Sequence, residues 1–565
     1  MKIPSLFEGI PEGCEPMPIF GNGAELLLVP ARNEEAFYKA TKELSDKGFD
    51  LYSERKDSHS LHATYVCGTD VINVSFTEGD ACLRIVSEEA DSLPPRAVDA
   101  KFKSVTTPLV TQVKLMYVGA DCGMSYLIRL SDGRFIMIDG GIGEHDEVEH
   151  LYSLMCEQNV LSDGPTVAAW FITHAHWDHF NAFSKFCRLF PTVAIGDIVY
   201  NWPRFDMTSS PSDLTVFSER VGARTDSRHI IPRQGNSFFY ADAQFDVLFV
   251  CDVIYPERIP NINDTSLVMK MSLGGYTFLW LGDAQKQASD VICTHFTPDE
   301  LKCDFLQVGH HGYGGGSHEL YSAADPAYLL WPIPDFWYKR IRAWECNKLL
   351  VESKNIRSVM NTGQNEYVID LTKPIPEVNA DGAYPAKHVI YSEDFSSCSP
   401  LALNWSCVRG GKTGYGGLKI EFPDVGRCMV TADERYSVCE VLRRGLCRGV
   451  SDYTFTLCGR NDGDNVDIGF YLNYQKPYEW SDDQIAWLTL PEGDFDISIK
   501  ASTESETLTY MQNGKTVLSR PYEYEDNCAF HFVLRNASLI FTKITITDDS
   551  LNKKRMSTHR WRCTY

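Results

Sequence analysis

No stretch of about 18 apolar residues occurs anywhere in the 565-residue chain, so no helical membrane span is expected. The N-terminus is apolar only in short pieces, broken by Pro4, Glu8 and Pro11, and does not read as a secretion signal. Cys-x-x-Cys pairs are missing although there are 18 cysteines, which excludes the common zinc-ribbon and dithiol redox patterns. In a long chain without a secretion signal such cysteines read as reduced thiols, and the expected compartment is the cytoplasm. No Lys/Arg block marks a basic groove, and the formal charge of −23 repels polyanions, so long duplex nucleic acid is not an expected partner. A Gly-rich phosphate loop is absent too, and the side chains present call for no Ser-His-Asp arrangement.

What is present is ample core material, with 44% hydrophobic residues and 12% aromatics, enough for several domains. Residues 1–92 read as a small α+β domain. A strand at Ala24 to Pro30 is followed by a helix opening near Asn33 with Phe37, Ala40 and Leu44 on one face, then by three alternating strand segments. His59 and His62 fall among these strands and lack partner ligands nearby in sequence. After the turn-rich stretch Ser87 to Arg96, residues 105–372 alternate strand and helix signals, the pattern of an α/β domain. Strands are expected at 113–118, 125–130, 135–138, 167–172, 195–200, 245–250, 266–271, 276–281 and 303–308, and a helix at 144–158. A Pro-rich linker near 373–385 precedes residues 388–550, whose short alternating segments and Asn513-Gly514 hairpin signal predict a β-sandwich. The last residues, 552–565, read as an exposed tail.

Chemistry concentrates in Phe171-Ile-Thr-His174-Ala-His176-Trp-Asp178-His179-Phe180. Three histidines and a carboxylate crowd the end of an apolar run, and imidazole nitrogen and carboxylate oxygen are ligands for zinc and related divalent ions. Three further pieces share that position at a strand end: Asp139, Gly282-Asp283 and His310-His311-Gly312. In a layered α/β domain such ends can converge on one edge. Trp177 is expected to pack against the core.

Together these pieces resemble the metallo-β-lactamase superfamily. The segments Asn261-Ile-Asn-Asp-Thr-Ser-Leu-Val268, Phe278 to Asp283 and Val308 to Gly312 are most similar to the soluble hydrolase domain of DNA-internalisation competence proteins and their stand-alone relatives. The resemblance covers about residues 110–370. It implies a central αββα sandwich with a divalent-metal site, inside a multidomain α+β chain. By the same resemblance His174 and His176 would hold one metal, and Asp178, His179 and His310 a second, with His311 as the fallback. Asp283 would bridge both, and Asp139 would orient the cluster. One departure stands out. The superfamily's further histidine for the first metal is missing from Asn261 to Ser266, leaving an Asn263 or Asp264 oxygen as candidate. Tyr200 and Asn201 are the expected pocket wall.

The expected cofactor is one or two divalent ions, zinc first and manganese as the alternative. The expected activity is hydrolysis by a metal-activated water, with Asp283 and Asp178 as the catalytic carboxylates. The first-choice substrate is a small or short phosphoester or phosphodiester; ester, lactone or amide hydrolysis is the alternative. In a third reading the chain is a binding protein, its C-terminal lectin-like sandwich offering Trp405, Trp480 and Trp487 to glycan or a protein partner.

Overall fold

The computed structural model describes residues 6–549 except 8–9, 116–122, 144–146, 209–210, 334–336, 339–340, 363–365, 379–387, 396–404, 409–417, 433–436, 442–451, 473–484, 523–529 and 536. The expected tail and Trp480 lie outside the described residues. Two compact units result, Met1–Met116 with Cys122–Ala380, and Tyr117–Asp121 with Asp381–Tyr565. Among the described residues no helix is long and apolar enough to cross a membrane.

The first unit opens with a six-stranded antiparallel sheet in the order Met17–Pro18, Glu25–Pro30, Cys82–Glu89, Asp70–Thr77, Ser60–Cys67, Asp50–Lys56. One helix, Glu35–Asp46, lays Phe37, Ala40 and Leu44 against it, the face read from the sequence, with Thr41 buried beside them. His62 is buried on the Ser60–Cys67 strand, whereas His59 is exposed and lies 2.6 Å from Glu78.

Two seven-stranded sheets follow. The first runs Arg228–Ile230, Ile195–Tyr200, Val167–Ile172, Phe135–Ile138, Tyr126–Arg129, Leu109–Gln112, Tyr367–Asp370. The second runs Ser237–Tyr240, Ala243–Phe249, Val268–Leu273, Tyr276–Trp280, Phe305–Gln307, Tyr328–Trp331, Ser358–Asn361. Successive residues of Val167–Ile172 point to opposite faces. Phe171 faces the second sheet, stacking on Phe245 at 4.8 Å, while Trp170 meets Phe183 and Phe186 of the helix Trp177–Leu189. Buried on both faces, that strand is apolar throughout. The layering is the αββα sandwich that was expected. In the first sheet, Phe135–Ile138, Val167–Ile172, Ile195–Tyr200 and Arg228–Ile230 are parallel. In the second, Tyr276–Trp280 through Ser358–Asn361 are parallel. Their carboxyl ends therefore gather Asp139, His174, Asp283 and the 310–311 pair.

One strand is displaced from its expected place. Residues 113–115 are not strand; the pairing strand is Leu109–Gln112, antiparallel to Tyr126–Arg129 and to Tyr367–Asp370. Its polar Thr111 and Gln112 are fully buried, and Gln158 donates a hydrogen bond to Thr111 at 2.9 Å. Polar composition hid a core strand.

The N-terminal sheet is tied to these layers through a buried ion triad. Arg233, 2% exposed, donates to Glu88 of the N-terminal sheet at 2.5 Å and to Asp252 at 2.6 Å. The two carboxylates more than offset its burial and raise its pKa above the usual arginine range. Removing one partner of such a triad leaves uncompensated buried charge. Arg233→Ala is accordingly expected to lower unfolding free energy by about 3–5 kcal/mol, read from urea midpoints; a loss below about 1 kcal/mol would show the triad to be dispensable.

The second unit is a β-sandwich of antiparallel sheets with eight and five strands. The larger contains Tyr453–Asn461, Gly493–Ser502 and Ala537–Asp548; the smaller contains Phe530–Leu534, Val466–Leu472 and Ala486–Leu490. Phe455 and Phe541 from one sheet meet Phe470 and Phe532 from the other at ring distances of 6.1 and 5.2 Å. Asn513 and Gly514 both take positive φ, 49° and 75°, closing the expected two-residue hairpin. Over Trp487 the Arg535 guanidinium sits 5.0 Å from the ring centroid, so that face of the indole is covered.

Candidate metal centre

The centre is built on one buried carboxylate. Asp139 leaves its strand with φ 54° and is fully buried. Its Oδ1 accepts from the Thr173 backbone N–H at 2.8 Å, and its Oδ2 from Thr173 Oγ1 at 2.8 Å. The same Oδ2 lies 2.7 Å from His179 Nδ1. Asp139 thus holds the turn that carries the histidines.

The three buried histidines of the centre are each oriented through Nδ1. His179 Nδ1 meets Asp139, His174 Nδ1 lies 3.1 Å from Thr173 Oγ1, and His311 Nδ1 lies 2.8 Å from the Pro332 carbonyl. With Nδ1 engaged, Nε2 is the nitrogen turned to the centre, the arrangement by which outer hydrogen bonds orient metal-binding imidazoles. His179 Nε2 stands 3.1 Å from Asp283 Oδ2, and His174 Nε2 3.7 Å from the same oxygen. His311 Nε2 is 3.4 Å from Asp178 Oδ2 and 3.6 Å from Asp283 Oδ1. Two groups of ligand atoms result, Asp178, His179, Asp283 and His311, and His174, His176 and Asp283, each within 4.8 Å. Asp283 belongs to both.

The donor set fits a divalent cation. His179 Nε2, His311 Nε2 and Asp283 Oδ1 are buried without a hydrogen-bond partner, a costly state for polar atoms unless a further ligand satisfies them. Among the described residues, every ion-pair partner of Asp178 and Asp283 is a histidine. Burial disfavours charged His179, yet Asp283, Asp178 and Asp139 outweigh it and raise its pKa well above the usual value. Burial likewise opposes the Asp283 carboxylate, but His179 and His311 hold its pKa well below normal. A pocket with that demand for positive charge suits a metal ion.

The structure corrects the choice between the paired histidines. His310, chosen as the first residue off the strand, joins neither group; His311 does. Both sit in a short turn with left-handed backbone, φ 48° and 51°, which reverses the chain at once and turns the second imidazole inward. Such conformations cost of order 1–3 kcal/mol each and persist where packing over-determines them. His310 is instead held between two side-chain amides, Asn263 at 3.0 Å and Gln285 at 2.9 Å.

The remaining expected residues divide between the centre and the scaffold. Asp264 caps the helix Lys286–His295, its Oδ1 accepting from Gln285 and Ala288 backbone N–H groups at 2.8 and 3.1 Å, and is committed there. Asn263 is 4% exposed and its Oδ1 has no hydrogen-bond partner. Its loop is tied to the centre: Ser266 Oγ donates to the Asn263 carbonyl at 2.8 Å and accepts from Asp283 N–H at 3.0 Å. Gly282 allows that close approach, since a Cβ there would lie 2.9 Å from Thr173 Cβ, at φ +55°. Of the two oxygen candidates at this loop, Asn263 is the one still available.

Tyr200 and Asn201 do not join the ligand groups. Asn201 donates to the Pro232 carbonyl and to Asp252, each at 3.0 Å, and Tyr200 packs on Phe20 and Trp202. Trp177, expected in the core, is 41% exposed because it occupies the first position of its helix, outside the buried face of Phe180, Phe183 and Phe186. Thr173 was missed. Its signal was the single residue between the strand and His174, where a hydroxyl can reach back to a buried carboxylate.

Residues 119–200 match the metallo-beta-lactamase superfamily. No curated protein matches the chain. Among solved structures it is similar to the metallo-beta-lactamase fold protein YhfI from Bacillus subtilis, at 15% identity and TM-score 0.30, over 45% of this chain and 95% of that one. It is also similar to a Bacillus subtilis protein of unknown function with a galectin-like fold, at 8% identity and TM-score 0.20, over 29% and 98%. A third is the laminarinase from Rhodothermus marinus, at 9% identity and TM-score 0.21, over 28% and 97%.

Two substitutions separate the neighbouring histidines. His311→Ala is expected to lower bound metal by about one ion per chain in elemental analysis, while His310→Ala retains it; the opposite pattern would return the ligand role to His310. Asp139→Asn is expected to weaken metal affinity about 10- to 100-fold in chelator competition, with an unchanged far-UV spectrum.

Proposed function

We propose that the chain is a metal-dependent hydrolase acting on a phosphodiester, small or short. The observation that carries the reading is the group of half-buried Asp178 with buried His179, Asp283 and His311, sharing Asp283 with His174 and His176. A donor set of nitrogen and oxygen without thiolate suits zinc or manganese. Such an ion, when bound, supplies Lewis acidity, acidifying a water and polarising a phosphoryl oxygen.

The chain's own residues do the rest. Asp283, common to both groups, orients the attacking water and accepts its proton. Asp178 and the Nδ1-anchored histidines keep the ligand atoms in place without reorganisation. Hydrolysis forms one phosphorus–oxygen bond from water, breaks the ester bond, and delivers a proton to the departing oxygen. The preference for phosphorus over carbon rests on the similarity of Asn261 to Val268 and Val308 to Gly312 to competence-protein hydrolases.

With zinc or manganese supplied, bis-p-nitrophenyl phosphate is expected to be cleaved, and His176→Ala and Asp283→Asn to lower kcat/KM at least about 100-fold. Faster turnover of p-nitrophenyl carboxylic esters or of a lactone panel would replace the phosphodiester reading with the ester one. Unchanged activity in both variants would remove the reaction from this centre.

A further inference from the structure

Beside the metal centre, a row of rings leads outward from the ligands to the surface. His311 is 5.3 Å from His179, and His310 is 6.4 Å from His311. Tyr313 is next at 6.1 Å from His310, and Trp344 at 6.3 Å from Tyr313 with an interplanar angle of 65°. Trp337 backs Tyr313 at 5.7 Å. At the outer end Trp344 is 48% exposed.

Trp344 is fixed relative to the ligands. It precedes the helix Glu345–Glu352, and its backbone N–H and carbonyl are held by Ile341 and Lys348 at 2.9 and 2.7 Å. One turn into that helix, buried Asn347 donates to the Gly312 carbonyl at 2.7 Å and to the Ile341 carbonyl at 2.8 Å. Gly312 directly follows His311, so the segment bearing the exposed indole is hydrogen-bonded into the turn that presents a metal ligand. The His311 carbonyl, in turn, accepts from Trp331 Nε1 at 2.8 Å.

Charge adds a second argument. An anionic diester approaching a chain of net charge −23 gains little from the overall field, which gives weight to contacts indifferent to charge. Stacking of a planar ring on an aromatic side chain is such a contact.

We propose that Tyr313 and Trp344 form a platform for a planar ring of the substrate, which makes the substrate a phosphodiester bearing a nucleobase-like heteroaromatic ring. This rests on the phosphodiester reading of the metal centre. The platform acts through ring stacking and leaves the scissile bond to the centre.

Two diesters with one leaving group test it: thymidine 5′-p-nitrophenyl phosphate, which carries a base, and methyl p-nitrophenyl phosphate, which does not. The native chain should favour the first by at least about tenfold in kcat/KM, chiefly through KM. Trp344→Ala should collapse that ratio toward one, and Trp344→Phe should keep most of it. A native ratio within about twofold, or a ratio untouched by Trp344→Ala, overturns the proposal. If neither diester is cleaved, the phosphodiester reading falls and the platform is judged by binding alone. Thymidine 5′-monophosphate should then quench tryptophan fluorescence saturably in the native chain and not in Trp344→Ala, and identical titrations would sink the platform as well.

Discussion

A carboxylate removed from water, Asp139, is the constraint on which the centre depends. Its two oxygens accept from Thr173 N–H and Oγ1, and one of them meets His179 Nδ1. Burial pushes its pKa up, and His179 and Thr173 pull it back toward the charged form. The residue thereby welds the end of Phe135–Ile138 to the end of Val167–Ile172. Its backbone carbonyl also accepts from Trp170 Nε1 at 3.1 Å, coupling the turn to the core packing of that indole. A charge in a dry interior is stable only when every lone pair is used, so the turn bearing three histidines has little freedom to rearrange.

From that anchor the asymmetry of the centre arises. One group has four candidate ligands and the other three, with Asp283 counted in each. In the loop before Val268–Leu273, Asn263 keeps a buried amide oxygen that lacks a hydrogen-bond partner. The neighbouring carboxylate, Asp264, is diverted to capping a helix.

The rest of the first unit supports the centre from a distance. Its two facing sheets bring parallel strand ends to one edge, and the antiparallel N-terminal sheet is held against them by Arg233 between Glu88 and Asp252. A buried triad of this kind fixes geometry more than it adds stability, because desolvation consumes much of its Coulomb energy. The Asn201 amide is recruited into the same network, which is why a residue expected at the pocket is found supporting the interface with the N-terminal sheet.

Local pattern was enough to locate the layers and most of the ligands. Runs such as Val167 to Ile172 are apolar because both faces are covered, and His174, His176, Asp178 and His179 come next at spacings that the strand end and first helical turn bring together. The alternating segments of the C-terminal half and Asn513-Gly514 likewise determined a sandwich, since backbone chirality leaves few residues able to close that hairpin. Burial of polar side chains was not legible, and so Leu109–Gln112 was placed wrongly: Thr111 finds its partner in Gln158, far along the chain. Only the tertiary structure decided between His310 and His311. Two successive left-handed residues are unfavourable in isolation, and what holds them is packing of Gly312 against Trp331 and the Asn347 hydrogen bond to its carbonyl. Those contacts come from strands and helices that adjacent sequence cannot specify, so the inward imidazole was a property of the fold.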